Sequence, residues 1–202
     1  MRSNVLITGH TRGLGEALAN LYKSNYNIVG VSTSELDFLT FSETPKFYLN
    51  NTYDYVIVNA RSKKHQWADL MNINCVNQVR FALDIKNNIT KALVFITSRA
   101  GNFTRTYRGF KGPDGSRMFP GTQKLDYAMS KAALTYAAVC ISRHVSYPVI
   151  AIDPGNFANQ SNPDRETKPI DIAIHIKKLL DKKDLKKYSG RLIRYTGEFL
   201  TW

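Results

Sequence analysis

Short blocks of apolar residues alternate along this chain with longer stretches whose apolar positions recur every three or four residues, a pattern that predicts parallel strands interleaved with covering helices. Asn4 to Thr8 reads as the first strand, and Leu14 to Ser24, apolar at Leu14, Ala17, Leu18 and Leu21, as the helix after it. Tyr26 to Val31 reads as the second strand and Leu36 to Leu39 as a short third. Tyr55 to Val58 follows as a strand, Trp67 to Ile85 as a long helix, and Ala92 to Thr97 as a central strand apolar enough to be buried on both faces. Leu125 to His144 reads as a helix, Val149 to Ile152 as a strand, Ile170 to Leu180 as a helix and Arg191 to Tyr195 as the last strand. The expected architecture is α/β, a doubly wound, mainly parallel sheet of about seven strands with helices on both faces. Between Leu36 and Tyr55 there is room for little more than a turn of helix.

The rhythm breaks between Arg99 and Lys124, where Gly101, Gly109, Gly112, Pro113, Gly115, Pro120 and Gly121 predict a long loop inserted into one domain spanning 1–202. That loop interleaves Arg105, Arg108, Lys111 and Arg117 with Phe103, Tyr107, Phe110 and Phe119. It could be a solvated loop pinned by its aromatics, a site for an anionic small substrate or, last of the three, a surface for single-stranded nucleic acid.

With 202 residues, 43% of them apolar, the chain can bury one full core, and a net charge of +12 draws anionic partners without choosing among them. Cys75 and Cys140 lie far apart, and His10, His65, His144 and His175 share no ligand spacing, so reduced thiols and no metal are expected. The first strand begins too early to leave room for a signal peptide, and no apolar stretch is long enough to span a membrane. A cytoplasmic protein without membrane contact is the expectation.

Two motifs carry chemistry. Thr8-Gly9-His10-Thr11-Arg12-Gly13-Leu14-Gly15 joins a strand directly to a helix. Glycines there allow a tight turn and let a pyrophosphate approach the backbone N–H groups at the positive end of the helix. The second motif is Tyr-x-x-x-Lys, which occurs twice, at Tyr107–Lys111 and Tyr127–Lys131. The first copy falls in the glycine-rich loop, where nothing keeps the two side chains on one face. The second enters an alanine-rich helix, and four-residue spacing sets phenol and ammonium side by side. An adjacent cation favours phenolate, which suits the pair to giving a proton to an alkoxide.

Together these residues resemble the short-chain dehydrogenase/reductase family, in particular its small carbonyl reductases, over nearly the whole chain. Gly9, Gly13 and Gly15 resemble the family's cofactor loop, and Asn59-Ala60 its Asn-Asn-Ala-Gly element. Asp153-Pro154-Gly155 resembles its nicotinamide turn, and Ser189 to Trp202 its last strand and tail. The resemblance implies a Rossmann fold and an oxidoreductase moving hydride between nicotinamide and a carbonyl or alcohol substrate. It implies a catalytic set in which Asn74 anchors a proton-relay water, Ser98 orients the substrate oxygen, Tyr127 is the general acid and base, and Lys131 lowers the tyrosine pKa and holds the ribose. It also implies cofactor contacts from Gly9, Thr11, Arg12, Gly13, Leu14, Gly15, Ser32, Thr33, Asp37, Phe38, Asn59, Ala60, Arg61, Pro154, Gly155 and Phe157, together with Tyr127 and Lys131. As in many relatives, the two long helices could pair in a homodimer or homotetramer.

The chain departs from the family pattern in several places. Val58 and Arg61 replace the first Asn and the final Gly around Asn59-Ala60, and Asn159 stands where many relatives have a carboxamide-binding Thr. Ser98 and Tyr127 are also unusually far apart, so the loop is an insertion beside the substrate site. NADP(H) is expected over NAD(H), because the second strand runs into Ser32-Thr33-Ser34 without a carboxylate and Arg12 can reach a 2'-phosphate. The rival reading is a non-catalytic NADP(H)-binding sensor or a nucleic-acid-associated protein on the same fold.

Overall fold

The computed structural model describes residues 2–62, 67–111, 115–118, 125–158 and 163–201. Six parallel strands form the main sheet: β1 (Asn4–Thr8), β2 (Asn27–Val31), β3 (Tyr53–Val58), β4 (Ile89–Ile96), β7 (Val149–Asp153) and β8 (Arg191–Arg194), in the order β2-β1-β3-β4-β7-β8. The interior strands are buried on both faces, which is why they read as nearly unbroken apolar runs. Helices α1 (Gly13–Tyr22) and α7 (Pro169–Leu180) cover one face around Leu18, Ile57, Val94, Ile150 and Ile176. On the other face the core gathers Leu6, Val56, Phe81, Phe95, Leu134 and Ala138 beneath α3 (Trp67–Met71), α4 (Asn77–Asp84) and α6 (Leu125–Ile141). The chain leaves β1 to build β2 on one side and returns to build β3 on the other, so a switch point lies at the carboxyl ends of β1 and β3.

The sheet has six strands rather than about seven, because Leu36–Leu39 is not a strand. Asp37 Oδ1 accepts a hydrogen bond from Leu39 N at 2.9 Å, and the Phe38 carbonyl accepts one from Asn77 Nδ2 at 2.7 Å. With Phe38 itself in the core, this segment turns inward instead of pairing beyond β2. The single turn α2 (Lys46–Leu49) is all the helix between β2 and β3.

The expected helix from Trp67 to Ile85 is interrupted by a π-helical turn, Asn72–Val76, between α3 and α4. Gln78 Nε2 braces it, donating to the Ile73 carbonyl at 2.5 Å and to the Ala60 carbonyl at 2.9 Å. Such bulges re-aim a side chain within a helix and recur at functional sites; here the side chain is that of Asn74. The inserted loop also carries regular structure: a 3-10 turn (Arg99–Gly101), α5 (Phe103–Arg108) and a small antiparallel pair of β5 (Phe110–Lys111) with β6 (Arg117–Met118). Ser98 and Asn102 start the two helical pieces with side-chain caps, Ser98 Oγ accepting from Ala100 N at 3.1 Å and Asn102 Oδ1 from Arg105 N at 2.9 Å. The loop's aromatics do not pin it to the domain at Phe103 and Tyr107, whose rings are 71% and 87% exposed. Phe119 and the start of the return to α6 lie outside the described residues.

Candidate functional site

At the switch point Thr8 anchors both sides of the crevice. Its Oγ1 accepts from Asn59 N at 2.8 Å and Ala60 N at 2.9 Å, while Asn59 Nδ2 donates to the carbonyls of Thr8 and Gly9 at 3.2 and 3.3 Å. Gly9 and Gly13 adopt φ of +67° and +58°, the left-handed region that favours glycine. A Cβ on Gly15 would stand 2.1 Å from the Gly9 carbonyl oxygen and 2.7 Å from Asn59 Nδ2, so only glycine lets α1 begin this close to β3. Around Gly13 the space is open for 4 Å. Backbone N–H groups at the start of a ten-residue helix thus face a glycine turn with room above it, a geometry suited to a dinucleotide pyrophosphate. Thr11 and Arg12 are exposed at this mouth, whereas Leu14 is buried in the core and can offer a ligand only its backbone.

Beside this turn, the Gly9 N–H donates to the Val31 carbonyl at 2.7 Å, fixing the end of β2 against the glycine loop. Ser32 and Thr33 sit at that end, and here the absence of a carboxylate needs correction. Glu35 folds back, its Oε2 accepting from Ser32 N at 2.7 Å and Ser32 Oγ at 2.5 Å and its Oε1 from Ser34 Oγ at 2.9 Å. Those bonds, the Ser32 hydroxyl's first, hold the carboxyl down at about 2. Ser-x-x-Glu is the signature of a capping box, and that signal was available in the sequence. Asp37 and Phe38 follow, with the Phe38 ring spent in the core against Phe41 and Phe81.

Three elements carry the four proposed reacting groups. The π turn holds Asn74 fully buried, its Oδ1 accepting from Ser62 N at 2.7 Å and its Nδ2 left without a partner among the described residues. Ser98 follows β4. Tyr127, half-buried, lies in the first turn of α6, where its N–H donates to Asp126 Oδ1 at 2.7 Å. One turn on, Lys131 is 2% exposed and its Nζ donates to the Ile96 carbonyl at 2.9 Å, two residues before Ser98. Burial pushes the Lys131 ammonium down to about 7; the nearby Arg61 guanidinium adds to the effect and Cys75 opposes it. The 3-10 turn after Ser98 packs hard on α6, since a Cβ on Gly101 would lie 2.3 Å from Ala132 N.

The other wall is the turn after β7. Pro154 is buried, Gly155 takes φ +68°, and Phe157 packs against the α1–α7 core. Sequence reasoning read Asp153 as part of this turn and missed its role as a clamp. Asp153 is 2% exposed; its Oδ1 accepts from Arg99 N at 3.3 Å and from Gly155 N at 3.2 Å. Its Oδ2 faces Arg99 Nε at 3.1 Å, an ion pair without hydrogen-bond alignment. One carboxylate therefore locks the Ser98 loop to the Pro154–Gly155 turn. A buried acid immediately before Pro-Gly was the sequence signal for it, but its partner could not be read from spacing. Asn159 lies outside the described residues. Among the described residues no cluster of His, Cys, Asp or Glu side chains could hold a metal, and no helix is long and apolar enough to cross a membrane.

No family model matches the sequence, and no curated protein matches it either. Solved structures do. A carbonyl reductase from Pseudomonas aeruginosa PAO1 superposes with a TM-score of 0.74 at 16% identity, over 99% of this chain and 100% of that one. The carbonyl reductase Sniffer of D. melanogaster gives 0.73 at 18% identity, and an NADPH-bound carbonyl reductase from chicken fatty liver 0.71 at 18%, each covering 100% of both chains. In its described residues this chain has the fold of these carbonyl reductases.

Proposed function

We propose that this chain is an NADP(H)-dependent oxidoreductase acting on a carbonyl or alcohol, with Tyr127 as its general acid and base. The observation that supports the reading is that the Lys131 bond to the Ile96 carbonyl and the Asn74 bond to Ser62 N bring α6 and the π turn to the carboxyl ends of β4 and β3, near the glycine turn, with Tyr127 one helical turn before Lys131. Gly9, Thr11, Arg12, Gly13, Gly15 and the Leu14 backbone would hold the phosphates, Ser32, Thr33, Asp37 and the Phe38 backbone the adenosine end, and Asn59, Ala60 and Arg61 the middle. Pro154, Gly155 and Phe157 would back the nicotinamide, and Lys131 would turn from the Ile96 carbonyl to the ribose. The chemistry a nicotinamide held there would supply is hydride transfer.

The remaining work falls to the protein. Ser98 Oγ accepts from Ala100 N, so its own proton is available for the substrate oxygen. Tyr127 gives its phenolic proton to that oxygen as negative charge develops, and Lys131, one helical turn away, stabilises the phenolate left behind. Asn74 Nδ2, without a partner among the described residues, is suited to holding a water that returns the proton. Preference for NADP(H) rests on exposed Arg12 and on the NADPH-bound chicken enzyme with the same fold; the Glu35 carboxylate is the feature that opposes it. A cytoplasmic setting and a small-molecule substrate fit this chemistry.

Tyr127→Phe is the test. It keeps the ring and should lower carbonyl reduction by roughly a hundredfold to ten-thousandfold while leaving NADPH affinity close to wild type. Full activity in that variant would refute the mechanism. Tight NADPH binding by the wild type with no turnover across a broad panel of carbonyls and alcohols would instead favour a binding protein.

A further inference from the structure

We propose that the recess beside Ser98, walled by α5, is a subsite for an anionic group, a carboxylate or a phosphate, carried by the carbonyl substrate; this names the substrate class within the oxidoreductase reading above. The recess encloses about 240 Å³ and is lined by Arg99, Asn102, Thr104, Arg105, Arg108 and Gly109, with Leu200 and Thr201 closing one side. Its lining brings together three arginines and, among the described residues, no acid. The size suits a small anion with a few carbons and is far too short for a strand of nucleic acid.

Arg99 links the recess to the Ser98 loop. Arg99 directly follows Ser98, and its Nη2 lies 3.8 Å from where a Cβ on Gly155 would be, so the guanidinium overhangs the Pro154–Gly155 turn. Asp153 holds the Nε edge of the same group at 3.1 Å. A planar fork fixed along one edge presents its terminal nitrogens in a set direction, the geometry that recognises carboxylate or phosphate oxygens.

The second guanidinium is also pre-placed. Asn102 is buried, caps α5 through the Arg105 N–H at 2.9 Å, and donates through Nδ2 to the Thr201 carbonyl, which ties α5 to the segment after β8. Burial first, and then the Arg99 guanidinium, pull the Arg105 pKa down, while Asp153 pushes the other way. Two cations therefore share a partly dehydrated space in which an anion is stabilised by both. Arg108, exposed at the rim, adds attraction for an approaching anion. An anion seated on Arg99 and Arg105 would leave the attached carbonyl within reach of Ser98.

The experiment separates binding from turnover. Benzoate, phenyl phosphate and neutral benzamide are titrated calorimetrically into the NADPH-loaded protein, its Arg108→Ser variant and its Arg105→Lys variant. In parallel, KM is compared for 4-carboxybenzaldehyde and benzaldehyde. The expected result is that at least one anion binds about tenfold or more tighter than benzamide, whichever of the two binds better naming the preferred group. Arg108→Ser, at an exposed position, should weaken the anion severalfold and leave benzamide unchanged. Arg105→Lys, which keeps the charge but loses the fork, should weaken it more. NADPH affinity should stay constant in both. The preference should fade as salt is raised. The proposal is overturned if neither anion outbinds benzamide, or if both variants bind the anions like wild type. Anion binding without turnover of either aldehyde would uphold the subsite and sink the reductase reading. Turnover of both aldehydes with equal KM, and no anion binding, would do the reverse.

Discussion

Lys131→Met should make the protein more stable while weakening the function proposed for it. Lys131 is buried, and its ammonium titrates at about 7 in the fold against an ordinary 10.5. Each pH unit of that difference corresponds to about 1.4 kcal/mol, so holding the charged form in the interior costs about 4–5 kcal/mol relative to the unfolded chain. Methionine fills a similar volume without the charge but gives up the bond to the Ile96 carbonyl, worth about 1 kcal/mol, which leaves an expected net gain of about 3–4 kcal/mol below neutrality. For a chain of this size that is roughly 5–15 °C in Tm. The sign follows from proton binding. Below pH 7 the amine is charged in both states and the full penalty applies. Between about 7 and 10.5 the unfolded chain binds the extra proton, so wild-type stability climbs with pH and the advantage of Met shrinks by up to about 1.4 kcal/mol per unit. Chemical denaturation of both proteins without cofactor at pH 6, 7, 8 and 9 measures this difference, and titrations shared by the two cancel. A pH-independent difference, or a variant less stable than wild type at pH 6, would refute the reasoning. NADPH affinity should fall in the same variant, since the ribose contact goes with the amine.

Two other outcomes can be checked directly. Glu35→Gln removes the carboxylate at the end of β2 and should tighten NADPH by about threefold or more while leaving NADH nearly unchanged, read from fluorescence titrations; equal changes for both cofactors would remove Glu35 from the 2'-phosphate site. Val76, Met129 and Tyr136 are 42%, 46% and 68% exposed on the π turn and α6, which supports the proposal that these helices pair between copies of the chain. Wild type should then sediment as a dimer or tetramer and Met129→Glu with Tyr136→Glu as a monomer, and a monomeric wild type would end that proposal.

The sequence by itself determined the alternation of strands and helices, because strands buried on both faces must be apolar throughout, as Val56 to Val58 and Leu93 to Ile96 are. It also determined the glycine turn, since only Gly tolerates the φ of Gly9 and Gly13 and the 2.1 Å approach at Gly15. The one-turn spacing of Tyr127 and Lys131 on a single helix was legible too, since both fall on α6 four residues apart. Tertiary structure decided what spacing cannot encode. Leu36–Leu39 has strand-like composition, but its backbone groups are taken by Asp37 and by Asn77, which lies 39 residues on from Phe38, so it turns inward. The π turn that aims Asn74 depends on Gln78 reaching the Ala60 carbonyl across the crevice. The Asp153–Arg99 clamp joins residues 54 positions apart, and the position of Glu35 beside the glycine turn follows from β2 pairing with β1. Periodicity reports only which face of an element is buried; these contacts are fixed by which elements become neighbours, and that follows from the packing of the whole sheet.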